Sequence, residues 1–166
     1  MLGVAAWFPM MLGVALAWEL LVVALVLADY LLLLGSRGCG VQRFCDASMS
    51  LGVEAEARLE VSNRSPLSYL LQVREEAPAA FWASSRRFSL RLGAGETRTL
   101  GYQVRPRERG DHWFGALHLR ASSVVGLLVR QTRVEAAQKV SVIPNVVEAR
   151  KYQLLAKQNR LAHVGL

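Results

Sequence analysis

Basic residues are absent from the first 36 positions of the chain. No Lys or Arg precedes Arg37, and the acids in that stretch are Glu19 and Asp29. All 20 basic residues of the 166-residue chain therefore follow it. Residues that build reactive centres are also scarce, with 3 His and 2 Cys. A content of 52% hydrophobic and 20% charged residues excludes a disordered polar chain, and two cysteines exclude a disulfide-rich miniprotein.

Residues 1–34 form an apolar run that is long enough to cross a membrane. About 20 apolar residues span a bilayer as a helix, so this run exceeds one straight pass. The sequence predicts a transmembrane segment over 1–34 and favours a hairpin broken near Pro9 or Gly13, with a single tilted or kinked helix as the alternative. A cleaved signal peptide is disfavoured because a basic n-region is missing. We expect Glu19 near the hairpin turn and Asp29 near the end of the run, so that both reach water.

The residues after the apolar run indicate an orientation. Arg37 and Arg43 follow the run and nothing basic precedes it, so the positive-inside rule places the rest of the chain on the cytoplasmic side of the cell (inner) membrane. Residues 35–45 are interpreted as a juxtamembrane linker that contains Cys39 and Cys45. Reduced thiols are expected in that compartment, and a disulfide between the two cysteines, which needs an oxidising compartment, is the alternative.

Residues 46–145 show the pattern of a β fold. Apolar and charged residues alternate strictly over 53–61, and turn-forming segments separate seven to eight such strands with no helical pattern between them. The sequence therefore predicts an all-β fold, an immunoglobulin-like antiparallel β-sandwich over 46–145. The alternation slips in phase at Gly115, which predicts a β-bulge that turns both Trp113 and Phe114 toward the core.

Residues 146–166 are predicted to form a basic amphipathic helix, or a linker to a further domain. Its Arg150 and Lys151, with Arg105 and Arg107 in a charged turn of the β region, are candidates for contacts with acidic partners or lipid headgroups. These four residues are the interaction sites that the sequence suggests.

No motif for catalysis, metal binding or cofactor binding stands out in the sequence. G-x-S-x-G, H-E-x-x-H and P-loop patterns are missing, and His112 and His118 have no third ligand nearby. The basic residues lack the aromatic interleaving of nucleic-acid-binding surfaces. We therefore expect a protein that is not an enzyme, has no cofactor and does not bind nucleic acid.

A series of short motifs resembles the N-terminal half of the bacterial and archaeal family of unknown function called DUF58. The motif residues are Arg109, Gly110, Phe114, Gly115, Gly126, Leu127, Pro144 and Asn145. The sequence departs from the family at His112, where an aromatic residue is usual, and at Ile143, where a tyrosine is usual. The family continues into a von Willebrand factor A-like domain that these residues do not include.

The resemblance implies membrane helices, usually a hairpin, followed by a β-sandwich and a basic helix. It also implies a non-catalytic role beside MoxR-type AAA+ ATPases. The sequence thus favours a membrane-anchored scaffold or docking module whose partners are the lipid bilayer and an AAA+ ATPase or another protein. The alternative is an exported, membrane-tethered β-sandwich that binds its ligand by a sheet edge.

Overall fold

The apolar run at the N-terminus is one continuous helix, α1, from Leu2 to Leu34. The computed structural model describes residues 2–123 and 125–144, and α1 shows no break at Pro9 or Gly13. The predicted hairpin is therefore wrong, and the single helix is the form observed. Pro9 removes one backbone hydrogen bond, and the helix-forming residues that follow it contain no turn segment to reverse the chain. Glu19 consequently lies in mid-helix, roughly 22 Å before Leu34 at 1.5 Å per residue.

A single turn of 3-10 helix over Gly35–Gly38 leads from α1 into eleven strands of the described chain. The strands are β1 (Cys39–Phe44), β2 (Ser48–Ser50), β3 (Ala55–Asn63), β4 (Tyr69–Glu75), β5 (Phe81–Ala83), β6 (Arg87–Leu92), β7 (Thr97–Pro106), β8 (Gly110–Phe114), β9 (Leu117–Ser122), β10 (Val129–Val134) and β11 (Gln138–Ile143).

The strands form a β-sandwich. One sheet has the order β1-β3-β7-β5 and another the order β10-β9-β4-β6. A smaller sheet, β2-β11-β8, contains a parallel pair between β2 and β11, whereas the other pairs are antiparallel. The predicted alternation holds in β3, where Leu59 and Val61 are buried beside Leu71 and Val73 of β4. The inner faces of both larger sheets thus build one hydrophobic core.

The predicted linker over 35–45 is wrong in its second half. Cys39–Phe44 is strand β1, which pairs antiparallel with β3 from Cys39 opposite Asn63 to Phe44 opposite Arg58. Val41 and Arg43 are both buried, so β1 has the alternation of a half-buried strand. An arginine at a core position hides that alternation from any hydrophobicity pattern.

The phase slip at Gly115 marks a change of sheet and not a bulge. Strand β8 before it pairs with β11, whereas β9 after it pairs with β4 and β10. Phe114 is fully buried, but Trp113 is 63% exposed, so the prediction that both aromatic residues face the core is wrong for Trp113. Each sheet keeps its own alternation, and the short connection resets the parity.

The sandwich has two distinct ends. The proximal end, next to α1, consists of residues 35–38, 63–69, 92–97, 122–123 and 125–129. Hydrogen bonds join these segments, such as Arg64 N to Gly38 O (3.0 Å) and Asn63 N to Glu96 O (2.9 Å). The distal end consists of residues 51–55, 80–83 and 104–107. Strand β7 runs from the proximal to the distal end, which places the ends about 30 Å apart at roughly 3.3 Å per residue.

Candidate functional site

Asp29 of α1 is buried, although it lies in an otherwise exposed apolar stretch of helix. Its Oδ2 accepts a hydrogen bond from Ser123 Oγ at 2.7 Å and another from the backbone N–H of Leu128 at 2.9 Å. Ser123 Oγ in turn accepts a hydrogen bond from the N–H of Gly126 at 2.9 Å. The prediction that Asp29 reaches water is wrong, because the β9–β10 connection covers the carboxylate and supplies donors for it.

The last turn of α1 packs on the proximal end. Leu33 and Ser36 are buried, and the hydroxyl of Tyr69 donates a hydrogen bond to the carbonyl of Leu32 at 2.5 Å. Residues 29, 32, 33 and 36 lie on one helical face by their spacing. The helix and the sandwich are therefore connected by side chains as well as by the chain itself. We call this contact region the junction.

Asn63 organises the loops beneath the junction. Its Nδ2 donates to the carbonyls of Leu67 (2.7 Å) and Gly93 (2.8 Å), and its Oδ1 accepts from the N–H of Ser65 (3.0 Å). The side chain is 1% exposed, so the Asn-Arg-Ser sequence at this position is a structural turn and not a glycan acceptor. These bonds fix the loops that face α1.

Arg43 and Glu75 form a buried ion pair between the two larger sheets. Arg43 Nε lies 2.7 Å from Glu75 Oε1, and the two side chains are 1% and 0% exposed. The remaining guanidinium nitrogens donate to the carbonyls of Ala136 (2.8 Å) and Gly115 (3.1 Å). Burial raises the pKa of Glu75 despite the neighbouring guanidinium, and burial also raises the pKa of the Tyr102 hydroxyl beside it. Arg43 is thus part of the core. The interpretation of Arg43 as a charge that flanks the apolar run is wrong.

Two of the predicted interaction residues, Arg105 and Arg107, line an open cleft at the distal end. Trp82, which is 39% exposed, and Glu54 lie in the same cleft. Backbone hydrogen bonds hold its walls, from Gly52 N to Pro106 O (3.0 Å) and from Arg107 N to Ala80 O (2.8 Å). We call it the distal cleft. Two guanidinium groups beside an aromatic ring suit an acidic partner.

The other predicted interaction residues, Arg150 and Lys151, lie outside the described residues, as do Asn145 and the predicted helix over 146–166. The remaining motif residues are distributed over both ends of the sandwich and are not brought together into one site. Phe114 is in the core, Gly115 lies against Glu76, and Arg109, Gly110, Gly126, Leu127 and Pro144 are exposed.

The two cysteines lie at opposite ends of β1. Six residues of extended chain separate them by about 20 Å, far beyond the roughly 7 Å limit between the Cα atoms of a disulfide. The disulfide alternative is therefore excluded within this fold. Burial raises the pKa of the Cys39 thiol and raises that of Cys45 to about 11, so both thiols are protonated at neutral pH. The described residues contain no group of three or more side chains that could hold a metal ion.

No family model and no curated protein matches this sequence. Among solved structures, the crystal structure of native α2-macroglobulin from Escherichia coli, spanning domain MG7 to the C-terminus, is similar over 64% of this chain, with 19% identity and a TM-score of 0.54. The trypsin-activated form is similar over the same share, with 19% identity and a TM-score of 0.50. The CARDB domain of PF1109 from Pyrococcus furiosus has 17% identity and a TM-score of 0.45 over 64% of this chain and 94% of that domain.

This chain covers only 16% and 7% of the two macroglobulin chains. At these identities the likeness shows the fold alone. The chain contains an immunoglobulin-like β-sandwich preceded by one apolar helix.

Proposed function

We propose that this protein is a membrane-anchored, non-catalytic scaffold, in which α1 crosses the bilayer and the sandwich presents the distal cleft to a partner protein. The junction carries the proposal. Asp29, Leu32 and Leu33 make buried or hydrogen-bonded contacts with the sandwich. Loss of α1 would therefore remove contacts that belong to the folded domain. A cleaved leader peptide has no such role in the mature fold. In the described residues, the stretch Met11–Gly38 is long and apolar enough to span a membrane.

The proposal places the sandwich on the cytoplasmic side of the inner membrane. Arg37 and Arg64 are exposed at the proximal end, where Arg64 N bonds to Gly38 O next to the end of α1. They supply positive charge at this end of the helix, in place of the buried Arg43. No basic residue precedes α1, so the charge asymmetry favours this orientation. The excluded disulfide removes the feature that would have favoured the exported alternative.

The proposed partner is a MoxR-type AAA+ ATPase, which is what the resemblance to DUF58 suggests. The distal cleft supports a protein partner of acidic character, because Arg105 and Arg107 line it together with Trp82 at the end of the sandwich away from α1. Such a partner would approach from the cytosol without competing with the bilayer.

Topology is tested by thiol labelling of cells that express the full chain with both native cysteines replaced by alanine. Val53 is 41% exposed near the distal end, so Val53→Cys reports the sandwich, and Leu2→Cys reports the start of α1. We expect a membrane-impermeant maleimide to label Leu2→Cys in intact cells and Val53→Cys only after lysis. Labelling of Val53→Cys in intact cells would show an exported sandwich. Release of a shortened chain by alkaline carbonate would show a cleaved leader.

Docking is tested with the full chain in liposomes and a purified MoxR-type ATPase from the same organism. Replacing Arg105 and Arg107 by glutamate should weaken binding by about tenfold or more, since like charges then face an acidic partner. Arg74→Glu/Arg87→Glu is the matched control, because these two exposed arginines of β4 and β6 lie outside the distal cleft and the double variant changes the charge by the same amount. Unchanged binding of the Arg105→Glu/Arg107→Glu variant would remove the distal cleft as the docking site, and failure of the wild type to bind would remove this partner.

A further inference from the structure

Three large apolar side chains project into solvent from the β9–β10 connection and the start of β10. Val125 is 59% exposed, Leu127 55% and Val129 57%. Gly126 between them has φ of +88°, which only glycine adopts readily, so the turn that presents these side chains is built into the sequence. We call Val125, Leu127 and Val129 the apolar tip. Clustered exposed apolar residues of this kind mark an interaction site.

The apolar tip lies beside α1 and not beyond its end. The N–H of Leu128, within the tip, bonds to the carboxylate of Asp29 at 2.9 Å. Asp29 precedes the last residue of α1, Leu34, by five positions, which is about 7.5 Å along the helix axis. The tip therefore lies on the side of the junction toward the bilayer that α1 is proposed to cross.

Four arginines lie at the same proximal end as the apolar tip. Arg37, Arg64 and Arg91 are exposed, and Arg130 is half-buried one residue after the tip. Among the ion pairs of the described residues none includes these four, whereas Arg98 at the same end pairs with Glu96. Exposed apolar side chains together with basic residues are the combination by which proteins bind at the interface of an anionic bilayer.

We infer that the apolar tip inserts into the headgroup–acyl boundary of the same bilayer that α1 crosses, with arginines of the proximal end on lipid phosphates. This inference rests on the proposed membrane anchoring. Apolar faces of interfacial segments are buried about 5–10 Å into the headgroup–acyl boundary, a depth comparable with the distance from Leu34 back to Asp29, where Leu128 contacts α1. The β9–β10 connection then has two roles. Its hydrogen bonds reduce the free-energy cost of placing the Asp29 carboxylate near lipid, and its apolar tip holds the sandwich at the membrane surface.

The test measures membrane depth by spin labelling of the full chain, with both native cysteines replaced by alanine, in vesicles of phosphatidylglycerol and phosphatidylcholine. Nitroxides are placed at Leu127→Cys and Val129→Cys in the tip, at Leu21→Cys in α1, and at Val53→Cys near the distal end. Collision rates with oxygen, which enriches in lipid, and with a water-soluble nickel chelate give the depth. Two tip sites keep the test valid if one variant misfolds.

We expect the tip labels to favour oxygen over the nickel chelate, as the Leu21→Cys label does, and the Val53→Cys label to show the reverse. Tip labels as accessible to the chelate as Val53→Cys, with Leu21→Cys still in lipid, would overturn the insertion and leave the anchor intact. A Leu21→Cys label in water would instead overturn the proposed anchoring. Spin–spin broadening at Leu127→Cys would assign the tip to a second copy of the chain and overturn lipid as its occupant.

Discussion

At the scale of single residues, Arg43 shows how one charged side chain connects two sheets. It lies on β1 and bonds to Glu75 of β4 and to the carbonyls of Gly115 and Ala136, so most of its donors are satisfied inside the protein. Burying a pair of this kind costs desolvation free energy, and the hydrogen bonds that Arg43 makes offset part of that cost. Removing one partner leaves the other as an uncompensated buried charge.

We predict that Arg43→Met lowers the free energy of unfolding by about 3–5 kcal/mol and that the double variant Arg43→Met/Glu75→Met recovers much of this loss. The measurement is urea unfolding of the full chain in detergent, followed by tryptophan fluorescence. Arg58→Met is the control, because its pair with Glu56 is exposed to solvent and should contribute little to stability. A double variant as unstable as the single one would show that packing, and not the orphaned charge, dominates.

Glu75 also makes stability depend on pH in a defined direction. Burial raises its pKa above the ordinary value of 4.5, so the folded state binds a proton more readily than the unfolded state. Stability from this group is therefore greatest at low pH and falls as pH rises from 4.5 through the raised pKa. We expect the urea midpoint of Glu75→Gln to rise relative to that of the wild type as pH increases over this range. A wild-type midpoint that rises relative to that of the variant as pH increases would contradict the predicted direction of the pH dependence.

At the scale of elements, the change of sheet between β8 and β9 depends on Gly115. A Cβ at this position would lie 2.7 Å from Glu76 Oε2 and 2.9 Å from Glu76 Cβ. The N–H of Gly115 also bonds to the carbonyl of Glu76 at 2.8 Å, so the two segments cannot separate freely. A side chain here must displace backbone-attached atoms.

We predict that Gly115→Ala lowers the free energy of unfolding by about 1–3 kcal/mol, the usual cost of overpacking. Gly40→Ala in β1 is the matched control, since its Cβ would meet only Ser62 Oγ at 3.4 Å, an ordinary contact. Urea unfolding of both variants measures the difference. Equal stabilities would mean that Glu76 moves aside at no cost.

The junction between α1 and the sandwich is a second feature at this scale. A hydrogen bond to a carboxylate contributes about 1.5–3 kcal/mol, so Asp29→Leu should speed amide exchange at Leu128 by about 10- to 100-fold. Hydrogen exchange by mass spectrometry in detergent measures this. Glu19→Leu is the control, because Glu19 is an exposed acid of the same helix. Unchanged exchange in Asp29→Leu would show that the junction does not hold the β9–β10 connection.

At the scale of the whole molecule, the two ends of the sandwich carry different features. The junction and the apolar tip lie at the proximal end, and the distal cleft lies about 30 Å away along β7. The sandwich would then stand on the membrane and hold the distal cleft in the cytosol.

We predict that energy transfer to a lipid-headgroup acceptor is higher from a dye at Ala94→Cys than from one at Arg107→Cys in liposomes. Ala94 is exposed in the proximal turn and Arg107 is exposed in the distal cleft. Both variants carry alanine at positions 39 and 45, so that the introduced thiol alone is labelled. Equal transfer from the two sites would mean that the sandwich lies flat on the bilayer.

Local sequence patterns were sufficient to predict the helix and strands such as β3. Alternation over 53–61 predicted β3, and the unbroken apolar run predicted a helix, because burial of one strand face or of a whole helix surface leaves its period in neighbouring residues. The same reasoning failed at β1, because a buried arginine occupies a core position there. It also failed at Pro9, because α1 continues through this proline and does not end at it. Arg105 and Arg107 were found as candidates, but Trp82, which joins them in the distal cleft, lies over 20 positions away in the sequence.

The sequence alone determined the division into an apolar helix and a β-sandwich, since each depends on residues close together in the chain. The tertiary structure decided the contacts of the charged residues. Asp29 meets a serine 94 positions later, and Arg43 meets Glu75 32 positions later and Ala136 93 positions later. A carboxylate or guanidinium in the sequence predicts solvent exposure, and only the folding of distant segments around it supplies the donors and acceptors that let it be buried.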